Sequence, residues 1–296
     1  LVALTLANPT PTESTDNQAM NVVILGVDSL RPDHLGFYGY DRDTAPHIDA
    51  LLKESVTFDS AWTPLARTYP AWTSMMSGLL PINNGIRDNL PEPDEVVPKV
   101  PLLPAVLKER GFTTTFVTDD SRFSYMLPEM GWDLIVQPPP NLKNFAVSLN
   151  EPRFRTFAWL MHNPLGFSML PTAAYNQAFS RSYRPALFID KAVDALGETS
   201  ASGKPFFYAV HSCVLHAPAE RPYPWHQMFG QNGYKGTNRF RYSKSGTSIV
   251  DGEGKKRRSK KAKKRIAAQD LRIYDSGIDM ADQMVGQMVA ELKRSG

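Results

Sequence analysis

The 296-residue chain has a single cysteine, Cys213. One thiol excludes an internal disulfide framework and any zinc ribbon or iron–sulfur cluster built on several thiolates. No apolar run reaches the ~20 residues that span a bilayer. No Walker, dinucleotide-binding or zinc-finger fingerprint is present, so neither a nucleotide cofactor nor specific nucleic-acid recognition is expected. Internal repeats with a period of roughly 20–50 residues are also missing, which argues against a solenoid. The formal net charge is only +3, and its surplus is local. Between Lys255 and Arg265, nine of eleven residues are basic; the rest of the chain has 24 basic residues against 30 acidic ones, a net −6. A general affinity for polyanions is therefore not expected. What the chain does have, 42% apolar and 10% aromatic residues, suffices for a real core.

The opening LVALTLA is apolar but seven residues long. It reads as the end of a signal or membrane segment, followed by a Pro/Ser/Thr-rich tether up to residue 20. That pattern predicts an exported protein, periplasmic or extracellular and possibly membrane-tethered, with its catalytic body over residues 21–296.

Strands and helices alternate from there on. Residues 21–28 form a short apolar run ending in an acid, as a buried parallel strand does. Thr44 starts a helical pattern through Ser55 as its cap, and residues 56–59 read as a short strand. Pro70 to Gly78 fits a helix with Pro in its first turn and Gly at its end. Residues 102–110 read as a helix closed by Gly111, and 112–118 as a strand. Residues 138–183, rich in Pro and aromatics, read as irregular cover. A helix over 186–196, a strand over 205–211 and a long amphipathic helix over 267–294 follow. The last helix carries an apolar face of Leu271, Tyr274, Ile278, Ala281, Met284, Val285, Met288 and Leu292. The fold class is α/β, a parallel sheet sandwiched by helices.

In such sheets ligands bind outside the carboxyl ends of the strands. Asp28 stands at one such end and is either a metal ligand or a turn cap. Thr68 lies at the start of the helix containing Pro70. Its hydroxyl is either an N-cap or a group activated by the helix's positive end.

Residues 27–33, 44–51 and 68–89 together resemble the sulfatase and alkaline phosphatase superfamily. The resemblance returns at 211–218 and at 274–296. It implies an alkaline-phosphatase-like sheet, a metal ligand at Asp28 and a nucleophile ten residues before Gly78, at Thr68, which also touches the metal. Sulfatases that use formylglycine carry Cys-x-Pro-x-Arg there. Here the first position is Thr68 and the last is Trp72, and Cys213 lies in no such motif. Threonine cannot be oxidised to that aldehyde hydrate, so a formylglycine mechanism is not expected. A threonine nucleophile with Asn89 following it by 21 residues is similar instead to nucleotide pyrophosphatase/phosphodiesterases. Threonine at this position also resembles the phosphoethanolamine and lipoteichoic-acid-type transferases.

The resemblance implies a metal-dependent hydrolase or transferase of phosphate esters, small or linked to lipid or polymer. Its cofactor is a divalent ion (zinc, calcium or manganese). Asn89 is expected to bind the phosphoryl oxygen and His216 to serve the substrate or leaving group, with His211 the weaker candidate. Arg31, Arg67 and Arg87 are candidate anion binders. A sulfuric ester hydrolase without formylglycine is the alternative, and a catalytically incomplete binder of anionic surfaces another. The family completes its metal site with a later Asp-His pair. Only Asp33-His34 occurs here, in the first loop, so the expectation is a domain truncated at its C-terminus: a piece of a longer enzyme, or a pseudoenzyme. The tract Lys255–Arg265 reads as a solvated insertion, near 235–265, able to meet an anionic surface.

Overall fold

The structure is a computed structural model that describes residues 2–4, 20–92, 95–120, 126–138, 165, 183–216, 219–221, 223–229, 241–242 and 260–295. Most of the expected cover over 138–183, most of the stretch from 221 to 254 and the first half of the basic tract lie outside the described residues.

The main sheet holds β1 (Val2–Leu4), β2 (Val22–Val27), β3 (Thr113–Thr118), β4 (Leu134–Val136) and β5 (Phe206–Ser212) in the order β1-β2-β5-β3-β4. β2, β5, β3 and β4 run parallel, and β1 pairs antiparallel along the outer edge of β2. The opening apolar residues thus add an edge strand. A second, two-stranded sheet joins β6 (Ala219–Glu220) to β7 (Arg241–Tyr242). The expected strand at 56–59 is absent: Val56 and Phe58 are exposed, and without a partner strand these residues stay irregular. β4 was not anticipated because its apolar run is three residues long.

Side-chain alternation along the strands separates two cores. Val23, Leu25, Tyr208 and Val210 face helices α1 (Pro46–Lys53), α5 (Pro185–Ser200) and α7 (Lys260–Ser295). Ile24, Phe116, Phe207 and Ala209 face the other layer, with α2 (Thr68–Ser77) and α4 (Leu103–Glu109), through Trp72, Met76 and Leu102. The remaining short helices are α3 (Pro81–Asn84) and α6 (Trp225–Met228). The result is the helix–sheet–helix sandwich expected of apolar strands joined by helical crossovers.

α7 has 36 residues, beginning at Lys260 inside the basic tract. The second half of that tract is therefore helical, and Lys264 and Arg265 lie exposed on it. Its buried face carries Ile273, Tyr274, Ile278, Ala281, Met284, Val285 and Met288, whereas Leu271 is exposed. Among the described residues no helix is long and apolar enough to cross a membrane.

α7 also supplies the cap that Thr44 was expected to give α1. Thr44 instead donates its hydroxyl to the His34 carbonyl at 2.6 Å. Asp282 accepts from the N–H groups of Ile48 at 2.7 Å and His47 at 3.2 Å, the orphan donors of the α1 start. Burial pushes the Asp282 carboxyl up to about 6, outweighing those N–H groups. A carboxyl whose folded value is raised favours the folded state most where it is protonated, below its unfolded value of 3.8. That contribution is lost between there and about 6. Relative to Asp282→Asn, the protein is expected to lose on the order of 2–3 kcal/mol as pH rises from 4 to 6, then to run level. Denaturant unfolding of both proteins across that range checks it; parallel curves would contradict the assignment.

Candidate functional site

Strand register brings the chemistry to one edge. Gly26 lies opposite His211, and Thr118 lies opposite His211 on the other side. The next residues, Val27-Asp28, Ser212-Cys213 and Asp119, therefore emerge together at the carboxyl ends of β2, β5 and β3. The Asp28 N–H donates to Ser212 O at 2.9 Å, extending the ladder by one step. Gly26 matters for the space above them. A Cβ there would meet Trp72 Cζ2 at 2.7 Å and the Val210 carbonyl oxygen at 3.1 Å. Its absence lets the buried indole settle across the strand and pack edge-on to His211, ring centroids 5.2 Å apart. Trp72, at the position where the formylglycine signature has arginine, is thus a core residue.

Thr68 opens α2, with Arg67 at the N-cap position. Its hydroxyl does not cap the helix; it donates to Asp28 Oδ2 at 3.0 Å. Ser29 donates to Asp28 Oδ1 at 2.7 Å from a backbone with φ of 62°, in the left-handed region that serine seldom adopts. Tyr274 of α7 holds that turn, donating to the Ser29 carbonyl at 2.6 Å and accepting from the Arg31 N–H at 3.0 Å. Burial alone would raise the Asp28 carboxyl. The His211 ring beside it, the Ser29 hydroxyl and the more distant His216 outweigh burial and hold it well below the usual carboxylate range. Asp28 is thus an anion at neutral pH.

Asn89 reaches the same helix start. Its Oδ1 accepts from the Tyr69 N–H at 3.0 Å, one residue from Thr68, which leaves its NH2 as a donor. His216 is half-buried on the turn after β5, its N–H donating to Cys213 O at 2.8 Å. The three arginines differ in their surroundings. Arg31 pairs with Asp33 in solvent, Arg67 donates to its neighbour's carbonyl, and Arg87 is exposed. Asp33 and His34 likewise diverge, because His34 is buried against Asp275 of α7 at 2.7 Å.

Asp28, His211 and Cys213 each place one donor atom within 4.8 Å of the other two. A carboxylate, an imidazole and a thiol so grouped fit a divalent cation. Sequence reasoning treated Cys213 only as a failed formylglycine precursor and passed over Asp119. Asp119 is buried at the end of β3 and accepts from the Cys213 N–H at 2.7 Å and the Tyr183 hydroxyl at 2.6 Å. Burial pushes its carboxyl up to about 6, against the pull of the Cys213 N–H and Tyr183. Its signal was available: like Asp28, it is an acid directly following an apolar strand.

A parallel sheet between helix layers, with an acid and a helix-start hydroxyl joined at its carboxyl edge, defines an alkaline-phosphatase-like fold. Two solved structures share it. Ps i-CgsB aligns over 93% of this chain and 55% of its own, with TM-score 0.59 and 18% identity. An alkaline phosphatase superfamily protein from Vibrio parahaemolyticus aligns over 94% of this chain and 51% of its own, with TM-score 0.53 and 17% identity. The sulfatase family's sequence profile matches residues 20–296, and the chain belongs to that family. Among curated relatives, N-acetylgalactosamine-6-sulfatase of Rattus norvegicus is 30% identical over 110 residues, 34% of this chain and 21% of the rat enzyme. The chain thus aligns with about half of each of those solved chains and a fifth of the rat enzyme.

Proposed function

We propose that the protein cleaves or transfers phosphate esters, with the Thr68 oxygen as nucleophile. The observation that carries this reading is the Thr68–Asp28 hydrogen bond at the start of α2. A threonine hydroxyl is a weak nucleophile at its free pKa, and a cation held by the adjacent anionic carboxylate would let its proton leave to solvent. Asp28 and Thr68 would hold a divalent cation, which when bound lowers the hydroxyl's pKa and neutralises charge on the phosphoryl oxygens. Everything else falls to the chain. The Thr68 oxygen bonds to phosphorus as the ester's P–O bond breaks in line with it. The Asn89 NH2 and the N–H groups of the α2 start donate to the phosphoryl oxygens, where negative charge builds. His216 gives the departing alcohol its proton. Water or a second alcohol then releases the group from Thr68. Export of the protein belongs to the same reading.

A second reading, hydrolysis of sulfate esters, is favoured by the sulfatase relative. Matched aryl phosphodiester, phosphomonoester and sulfate substrates, assayed with added divalent ions, separate the two. Preference for either phosphate is the expected result; a strong preference for sulfate would sink the first reading.

A further inference from the structure

We infer that Asp119 is a positioning residue: by pinning the peptide plane between Ser212 and Cys213, it holds His216 where the departing alcohol needs a proton. The inference rests on the reading above in taking His216 as the acid; the pinning contacts themselves are read from the geometry.

Asp119 directly follows β3, and its N–H donates to the His211 carbonyl at 3.4 Å, continuing the β3–β5 ladder. Its Oδ1 accepts from the Cys213 N–H at 2.7 Å. Its Oδ2 accepts from the Tyr183 hydroxyl at 2.6 Å and the Ser212 hydroxyl at 3.3 Å. Asp119, Tyr183, Ser212 and Cys213 are all buried. The Ser212 carbonyl and the Cys213 N–H belong to one rigid peptide unit. Asp119 grips its N–H edge, and the Asp28 N–H donates to its carbonyl edge at 2.9 Å. The next carbonyl, that of Cys213, accepts from the His216 N–H at 2.8 Å and closes the turn Cys213–His216. Asp28 and His216 thus hang from the same short backbone segment, and Asp119 fixes its tilt.

Stability alone gives little reason for a carboxyl here, since an apolar residue of similar shape serves a buried position as well or better. What an apolar residue lacks is an acceptor for the Cys213 N–H, and a buried N–H without one is driven to find another. Rotation of that peptide plane would draw the Ser212 carbonyl from Asp28 and carry the Cys213 carbonyl, with His216, out of place. Proton transfer tolerates this poorly. The donor must stand within about 2.6–3.2 Å of the departing oxygen, and a misplacement of ~1 Å costs roughly 10²-fold. As the P–O bond breaks, its electron pair passes to the alcohol oxygen, which takes the His216 proton. An alkyl alcohol needs that proton; a nitrophenol departs readily as its anion.

The test uses the full chain with added divalent ion and a pair of esters, alkyl and 4-nitrophenyl, each made as phosphate and as sulfate. His216→Ala is expected to lose about 10²–10⁴-fold in kcat on the alkyl ester and far less on the nitrophenyl ester. Asp119→Ala is expected to show the same selective pattern, with roughly 10²-fold lost from kcat on the alkyl ester and KM little changed. In the double variant the two losses are expected not to add. Asp119→Asn keeps an oxygen for the Cys213 N–H and is expected to recover most of the alkyl activity. Asp119→Leu fills the space without that acceptor and decides the matter where Asp119→Ala fails to fold. Equal loss on both esters in the alanine or leucine variant, or additive losses in the double variant, would overturn the inference and leave Asp119 a structural residue. Equal loss on both esters in His216→Ala would overturn it together with the role of His216. A wild-type preference for sulfate with the selective pattern intact upholds the positioning and defeats the phosphate reading alone.

Discussion

Thr68→Ala is expected to lower turnover of the preferred ester by at least about 10³-fold and to leave the protein folded. The two halves of that expectation have separate physical causes. Removing the hydroxyl removes the atom that bonds to phosphorus, and the serines at this edge are committed elsewhere, Ser29 to Asp28 Oδ1 and Ser212 to Asp119 Oδ2. The fold loses one half-buried hydrogen bond to Asp28 Oδ2, worth roughly 0.5–1.5 kcal/mol. Alanine is also the best helix former, so α2 gains slightly in return. Thr68→Ser should recover activity, because it keeps the oxygen. Single-turnover kinetics with a chromogenic ester, paired with a denaturant melt, reads both halves. Turnover retained in Thr68→Ala would refute the nucleophile, and equal loss of activity and stability would recast Thr68 as a structural cap.

Much of this site could be read before any coordinates, and its unread parts have a common cause. Asp28 and Thr68 were legible because each sits at a boundary with a local signature, an acid closing an apolar run and a hydroxyl opening a helix. Pro70 and Gly78 bracket that helix in the sequence itself. His211 was legible only as the weaker of two candidate histidines, and Cys213 only as a residue outside the formylglycine motif. Their juxtaposition with Asp28 depends on β5 inserting between β2 and β3, a crossover in which strands distant in sequence become neighbours. The cap of α1 failed for the same reason: Thr44 had the right chemistry, but Asp282, 234 residues beyond Ile48, had the right place. The strand expected at 56–59 had the right composition and no partner. Local propensity marks where an element can start, while tertiary pairing decides whether it is used.

Asp275→Ala is expected to cost about 3 kcal/mol or more of stability, and activity along with it. Asp275 is fully buried in the middle of α7 and gathers the first loop onto the helix. Its Oδ1 meets His34 Nδ1 at 2.7 Å, and its Oδ2 accepts from the Tyr40 hydroxyl at 2.9 Å and from the Arg42 guanidinium. Burial, reinforced by that carboxylate, pushes the Tyr40 phenol up to about 12, so it remains a donor at any working pH. Without Asp275, Arg42 can turn to water because it is partly exposed, but His34 and the Tyr40 hydroxyl lose the acceptor they pack around. The loss reaches the site through the adjacent residue. Tyr274 bonds the Ser29 carbonyl and the Arg31 N–H, and Ser29 keeps its left-handed turn under that grip. A loosened loop therefore lets the Asp28 carboxylate drift from Thr68. Asp275→Asn keeps an acceptor of the same shape and should lose less. A denaturant series on both variants, read beside turnover at a temperature where each is folded, tests the chain of causes. A stability loss below ~1 kcal/mol would show that the loop holds itself. Full activity in folded Asp275→Ala would show that the turn at Ser29 does not need it.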